Sequence, residues 1–148
     1  MRVLVLHGPN LNRLGRREPA TYGHLTLDEV DGRIREAASL LGLRTTHLQS
    51  NHEGVLLDAL HAADGTQDGI LLNAGAYTHT SYALRDAIAS VSLPCVEVHL
   101  SDIEAREPWR RVSLIHDVCA ARFMGRGVDS YLDGLRWLAE RLTRSEHR

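Results

Sequence analysis

Short apolar runs that end in turn signals alternate along this chain with segments whose apolar residues recur every three or four positions. That alternation limits the fold more than any other feature. Val3-Leu4-Val5-Leu6 runs unbroken into His7-Gly8-Pro9-Asn10, the pattern of a strand buried on both faces that stops at a turn. Thr26-Leu27-Asp28-Glu29 then has the capping-box spacing, and Leu27, Val30, Ile34, Ala37 and Leu41 follow at helical intervals up to Gly42. The pattern repeats as a strand at 44–49, a helix at 53–63, a strand at 70–73, a helix at 81–91 and a strand at 95–99. A last strand is expected near 120–124. Gly125-Arg126-Gly127 leads from it into a helix carrying Leu132, Leu135, Leu138 and Leu142 on one face. Strands separated by helices predict a parallel sheet covered on both faces. With five strands, the expected class is α/β, a flavodoxin-like doubly wound sheet.

The 148 residues, 43% of them hydrophobic, suit one core better than two. One domain spanning 1–148 is therefore expected. A net charge of -2 and a pI near 6.5 provide no positive field for nucleic acid or an anionic membrane. All 17 basic residues are Arg, so Schiff-base chemistry, pyridoxal attachment and a phosphate-loop Lys are excluded together. Cys95 and Cys119 lack metal or C-x-x-C spacing and read as small core residues. The 3–6 apolar run is shorter than a signal-peptide core, and no stretch approaches the roughly 20 apolar residues of a membrane span. A cytoplasmic protein is expected.

In open parallel sheets ligands bind beyond the carboxyl ends of the strands, so the loops found there carry the candidates. Asn10, Arg17 and Tyr22 follow strand one, and Asn73 and His79 follow strand three. His99 ends strand four, before Ser101, Arg106 and Arg110. The stretch between Gly15 and Thr26 has no apolar period and is long for a connection, which suggests a lid. A phenol titrates near ~10, so a Tyr22 base requires a neighbouring cation such as Arg17. Glu97 and His99 stand two apart on a strand and share a face, where the carboxylate can orient the imidazole. Asn73 to Thr80 precedes a helix whose amides and dipole could face an anion. Each feature has a structural reading as well: a tight turn at Asn10, a surface Tyr, a strand-end His and solvated Arg side chains.

The motifs together resemble the type II 3-dehydroquinate dehydratases. They are Gly8-Pro9-Asn10-Leu11-Asn12 with Leu14-Gly15, Arg17-Glu18-Pro19 with Tyr22-Gly23, Gln49 to Gly54, and Asn73-Ala74-Gly75 with Thr78 to Ser81. Glu97 to Ser101, Arg106-Glu107-Pro108 with Arg110, and Gly125 to Tyr131 complete the set. The resemblance covers nearly the whole chain and implies removal of water from 3-dehydroquinate, without metal or coenzyme. It casts Tyr22 as the base at C2, kept ionised by Arg17 on a closing lid. Asn10 would orient a water that stabilises the enolate, and His99, backed by Glu97, would protonate the departing C1 hydroxyl. Asn73 with Leu100 and Ser101 would hold the carboxylate, and His79 and Arg110 the ring hydroxyls. Arg106 would belong to the same polar shell. Asp86 would enter from a neighbouring subunit of a dodecamer built from trimers. The role would be in the shikimate pathway to aromatic amino acids or in quinate catabolism. Three positions depart from the family pattern: His7 and Asp102, where Asn is usual, and Ser130, where Gly is usual.

Negative charge left on oxygen by proton abstraction needs placed donors or conversion to an imine, and without Lys the imine route is closed. The alternatives are a binder of polyhydroxy carboxylates without turnover, a flavin or phospho-receiver protein sharing the sheet, and a metal hydrolase using His7, His79 and His99.

Overall fold

The computed structural model describes residues 1–16, 20 and 24–148. Five strands, β1 (Arg2–His7), β2 (Arg44–Gln49), β3 (Gly69–Asn73), β4 (Cys95–His99) and β5 (Ala121–Met124), form one sheet in the order β2-β1-β3-β4-β5. Every pairing is parallel, and the order is that of the flavodoxin-like doubly wound sheet. Among the described residues are four α-helices, α1 (Leu27–Leu40), α2 (Glu53–Ala63), α3 (Tyr82–Ser90) and α4 (Val128–Glu146).

Burial follows strand position. All five residues of β3 and all five of β4 are buried, as central parallel strands require, whereas edge strand β2 alternates between exposed and half-buried residues. Val3, Val5, Leu71, Val96 and Val98 point to one face and pack with Val30 and Ile34 of α1 and Tyr131, Leu135 and Leu138 of α4. Leu4, Leu6, Ile70, Leu72 and Cys95 point to the other and pack with Leu56 and Leu60 of α2 and Leu84 and Ile88 of α3. The two side-chain sets of β1, β3 and β4 thus contribute to two separate cores.

Local signals explain the helix positions. Thr26 Oγ1 accepts from the Glu29 amide at 3.2 Å and the Glu29 carboxylate accepts from the Thr26 amide at 3.4 Å, so the capping box starts α1. Gly134 stands within α4 because a Cβ there would lie 2.8 Å from Leu71 Cδ1 and 3.2 Å from both Val96 and Val98. The missing side chain lets the helix lie directly on the sheet. Between β4 and β5 the crossover consists of three 3-10 turns, Ile103–Ala105, Pro108–Arg110 and His116–Val118, in a stretch without an apolar helical period. None of the described helices is long and apolar enough to cross a membrane.

Candidate active site

The chain leaves β1 toward β2 on one side and reaches β3 on the other, so the loops after β1 and β3 part at a topological switch point. A cleft lies there, where open parallel sheets place their ligands. Pro9, Asn10 and Leu11 line it from the first loop, and Asn73, Gly75, Ala76 and His79 from the second. His99, Leu100, Ser101, Ile103, Arg106 and Arg110 line it from the third.

The first two loops are joined tightly. The Gly8 amide donates to the Asn73 carbonyl at 2.7 Å, carrying the β1–β3 ladder one step past the strands. Asn10 adopts φ 68°, a left-handed conformation that Asn tolerates better than most residues. Its amide donates to Asn51 Oδ1 at 2.9 Å, and Gln49 Nε2 donates to the same oxygen at 3.1 Å. Sequence patterns give Asn51 no role, yet it fixes the loop that presents Asn10.

Asn73 is buried and held at both ends of its amide. Its Oδ1 accepts from the Gly75 amide at 3.1 Å and its Nδ2 donates to the Tyr131 hydroxyl at 3.0 Å. Burial pushes the Tyr131 phenol well above its ordinary value, and the Asp31 charge adds to the effect against the Asn73 donor, so Tyr131 stays protonated. It also bonds His7 Nδ1 at 3.0 Å. Tyr131→Phe leaves those two buried partners unsatisfied and is expected to cost about 1–3 kcal/mol in denaturant unfolding. An unchanged midpoint would show that the hydroxyl carries no such bonds.

Glu97 and His99 meet as their spacing predicts, with Glu97 Oε2 2.6 Å from His99 Nε2. The carboxylate can only accept, so Nε2 carries the proton of that bond, and Nδ1, which has no bond to a described residue, is the nitrogen left for the cleft. Glu97 is fully buried and also accepts from Ser113 Oγ at 2.8 Å. Burial works to raise its pKa, but the His99 hydrogen bond and charge, Ser113 and Arg122 prevail and hold it below the ordinary carboxylate range. A depressed folded value means that this stabilisation is present above the unfolded value near ~4.3 and is lost as pH falls through the folded one. Wild type should therefore be more stable than Glu97→Gln at pH 6, with the gap closing below about pH 4. A gap that widens on acidification would contradict the pairing.

His79 Nδ1 lies 2.6 Å from the Val112 carbonyl, which fixes the proton on Nδ1 and leaves Nε2 as an acceptor. Burial, with the charges of His99 and Arg110, pulls its pKa below the ordinary value against Val112 and Glu97. Arg110 stacks over Trp109 at 4.0 Å and pairs with Glu107, and Arg106 Nη1 donates to Ser101 Oγ at 3.5 Å.

The structure thus brings Asn10, Asn73, His79, His99, Leu100, Ser101, Arg106 and Arg110 together, with Glu97 directly behind. Asp86 stands on α3 and does not line this cleft. Arg17, Tyr22 and the lid expected around them lie outside the described residues. One expectation requires correction. The amides of α3 do not face the cleft: Ser81 caps that helix by accepting from the Leu84 amide and donates to Glu53, and the 3-10 turn at Gly75–His79 lines the cleft instead. The histidines of the hydrolase alternative do not converge, because His7 is turned to Asp31 and Tyr131 while His79 and His99 face the cleft. Asp102 and Ser130 have local partners, in the Glu104 and Arg126 amides. Cys95 is buried in the second core, and the Cys119 side chain, with burial, pushes its thiol well up.

Fold and cleft define an α/β protein with a polar cleft at the switch point of a flavodoxin-like sheet. Residues 1–139 match the family model for dehydroquinase class II. A 3-dehydroquinate dehydratase from Nostoc sp. is 59% identical over 140 residues, 95% of each chain. The crystal structure of a type II dehydroquinase from Butyrivibrio crossotus superposes with a TM-score of 0.91 at 41% identity, covering 93% of this chain and 97% of that one. A Propionibacterium acnes type II dehydroquinase gives 0.91 at 37% identity, covering 94% and 96%. The chain belongs to the class II dehydroquinase family and is a hydro-lyase.

Proposed function

We propose that this chain is a 3-dehydroquinate dehydratase that eliminates water in the anti sense through an enolate, giving 3-dehydroshikimate. The observation that carries the mechanism is the Glu97–His99 pair, whose geometry commits Nε2 to the carboxylate and offers Nδ1 to the cleft. His99, doubly protonated for this step, gives its Nδ1 proton to the departing C1 hydroxyl while Glu97 holds the ring through Nε2. Tyr22, kept ionised by Arg17, removes the C2 proton. None of the described tyrosines competes with it as the base, because the Tyr77 hydroxyl donates to the Asn51 carbonyl at 2.7 Å, Tyr82 is 69% exposed, and Tyr131 is buried and protonated.

Asn10 holds a water against the enolate oxygen, where a placed donor lowers the barrier. Asn73, with Leu100 and Ser101, receives the substrate carboxylate. His79 Nε2 accepts from a ring hydroxyl, Arg110 donates to another, and Arg106 belongs to the same polar shell. Asp86 reaches the cleft of a neighbouring subunit in a dodecamer of trimers, and the single-domain enzyme serves aromatic biosynthesis or quinate breakdown in the cytoplasm. Resemblance to the family supports these assignments.

The test is to mix chelator-treated protein with 3-dehydroquinate and follow the ultraviolet absorbance of the enone, with Tyr22→Phe in parallel. Growth in wild type and none in the variant is expected. A flat trace in both, with calorimetric binding of 3-dehydroquinate, would make the protein a binder without turnover.

A further inference from the structure

Behind Tyr131, on the side away from the cleft, lies a cluster that the dehydration does not use. One oxygen of Asp31, Oδ1, meets two rings, His7 Nε2 at 2.7 Å and His47 Nδ1 at 2.7 Å. The remaining ring nitrogens both face hydroxyls: His7 Nδ1 is 3.0 Å from Tyr131 and His47 Nε2 is 2.7 Å from Thr45 Oγ1. The register explains the meeting. Val5 pairs with His47 and His7 with Gln49, so the two rings stand on the same face of neighbouring strands, one step apart, beneath α1 and its Asp31. β2 is the edge of the sheet, and the side chains of Asp31 and His47 are 11% and 6% exposed, which leaves an approach from solvent.

We propose that His7 Nε2, His47 Nδ1 and Asp31 Oδ1 form a binding site for a late first-row divalent cation, with Zn²⁺ the best fit. Two imidazoles and one carboxylate are a recognised donor set for zinc, which leaves a fourth position to water. Imidazole donors also select this part of the series over Mg²⁺ and Ca²⁺. The three donor atoms lie within 4.8 Å of one another, and a tetrahedral site with bonds near ~2.0–2.1 Å spaces its donors roughly 3.3 Å apart. Each 2.7 Å contact therefore opens by a fraction of an ångström.

The outer partners suit the ion as well, since ligating histidines hold their second ring nitrogen on an acceptor. Without the ion, the rings donate to Asp31 and accept from Tyr131 and Thr45. With it, the lone pairs of His7 Nε2 and His47 Nδ1 turn to the metal. The ring protons move to His7 Nδ1 and His47 Nε2, where the two hydroxyl oxygens accept them. For neutral rings this is a change of tautomer, and no proton leaves the protein. The Tyr131 oxygen then receives His7 as well as Asn73, so the ion is linked to the cleft through one phenol.

The measurement is a Co²⁺ titration of the chelator-treated full chain, followed by visible absorption, with Zn²⁺ as competitor. Expected are the intense bands of four-coordinate Co²⁺ saturating at one per chain, displaced by Zn²⁺, and at least about 100-fold weaker binding in His47→Gln and Asp31→Asn, both checked for fold by circular dichroism. Absence of those bands from wild type would overturn the site without recourse to any variant. Undiminished bands in folded His47→Gln would overturn it too, by placing the ion on other histidines. No turnover is read, so the result is independent of the assigned reaction.

Discussion

His99→Gln is expected to lower kcat for 3-dehydroquinate by about 10²–10⁴-fold, the usual weight of a positioned general acid, with an unfolding temperature near that of wild type. The choice of Gln matters. Glu97 is fully buried and its Oε2 is bonded to the ring, so Ala would leave a buried carboxylate with Ser113 as its remaining donor and would mix catalytic loss with destabilisation. An amide can still donate to Glu97 but has no proton acidic enough for the leaving hydroxyl. Enone formation gives kcat and a thermal melt gives stability. A His99→Gln enzyme within about tenfold of wild type would remove His99 from the acid role.

Gly8→Ala is expected to destabilise the protein by about 3 kcal/mol, the upper end for forcing added atoms into a packed site, and to raise KM at the same time. Its Cβ would lie 2.3 Å from the Ala74 carbonyl oxygen and 2.5 Å from the carbonyl carbon. That carbonyl cannot swing aside freely, because it accepts from the Tyr77 amide at 3.2 Å and begins the 3-10 turn lining the cleft. The loops after β1 and β3 must separate, and Asn10 and Asn73 separate with them. Denaturant unfolding reads the stability and initial rates read the KM. An alanine variant with wild-type midpoint and wild-type KM would mean that the two loops are not held by this contact.

The fold was legible because apolar runs and periodic segments are local signals. Val3 to Leu6, Cys95 to His99 and the Thr26 capping box each announce their element from their own neighbourhood. The crossover from 103 to 118 was not, since irregular turns depend on tertiary partners such as the Thr78 carbonyl, which accepts from the Leu114 amide. At the cleft, Glu97 and His99 could be paired because a strand repeats every two residues, and Asn73 and His79 because ligands gather at strand ends. Tyr131 and Asn51 stood in motifs but received no role, for the opposite reason. Tyr131 reads as one more apolar residue on α4, and its hydroxyl acquires meaning through Asn73, 58 positions away. Asp31 likewise sits on the sheet-facing side of α1, where an apolar residue would be unremarkable, and neither His7 nor His47 is near it in sequence.

The dependence of Asn73 on Tyr131 also sets an order of events during synthesis. The sheet strands, the three loops and every cleft-lining residue precede α4, yet α4 packs against β3, β4 and β5 and supplies the phenol that holds the Asn73 amide. A nascent chain still lacking Val128–Glu146 has that face of its sheet covered by α1 alone and its Asn73 amide without the phenol. A chain released early would expose the part of the apolar face over β3 and β4, at Leu71, Val96 and Val98, to any quality-control factor that surveys bare sheets.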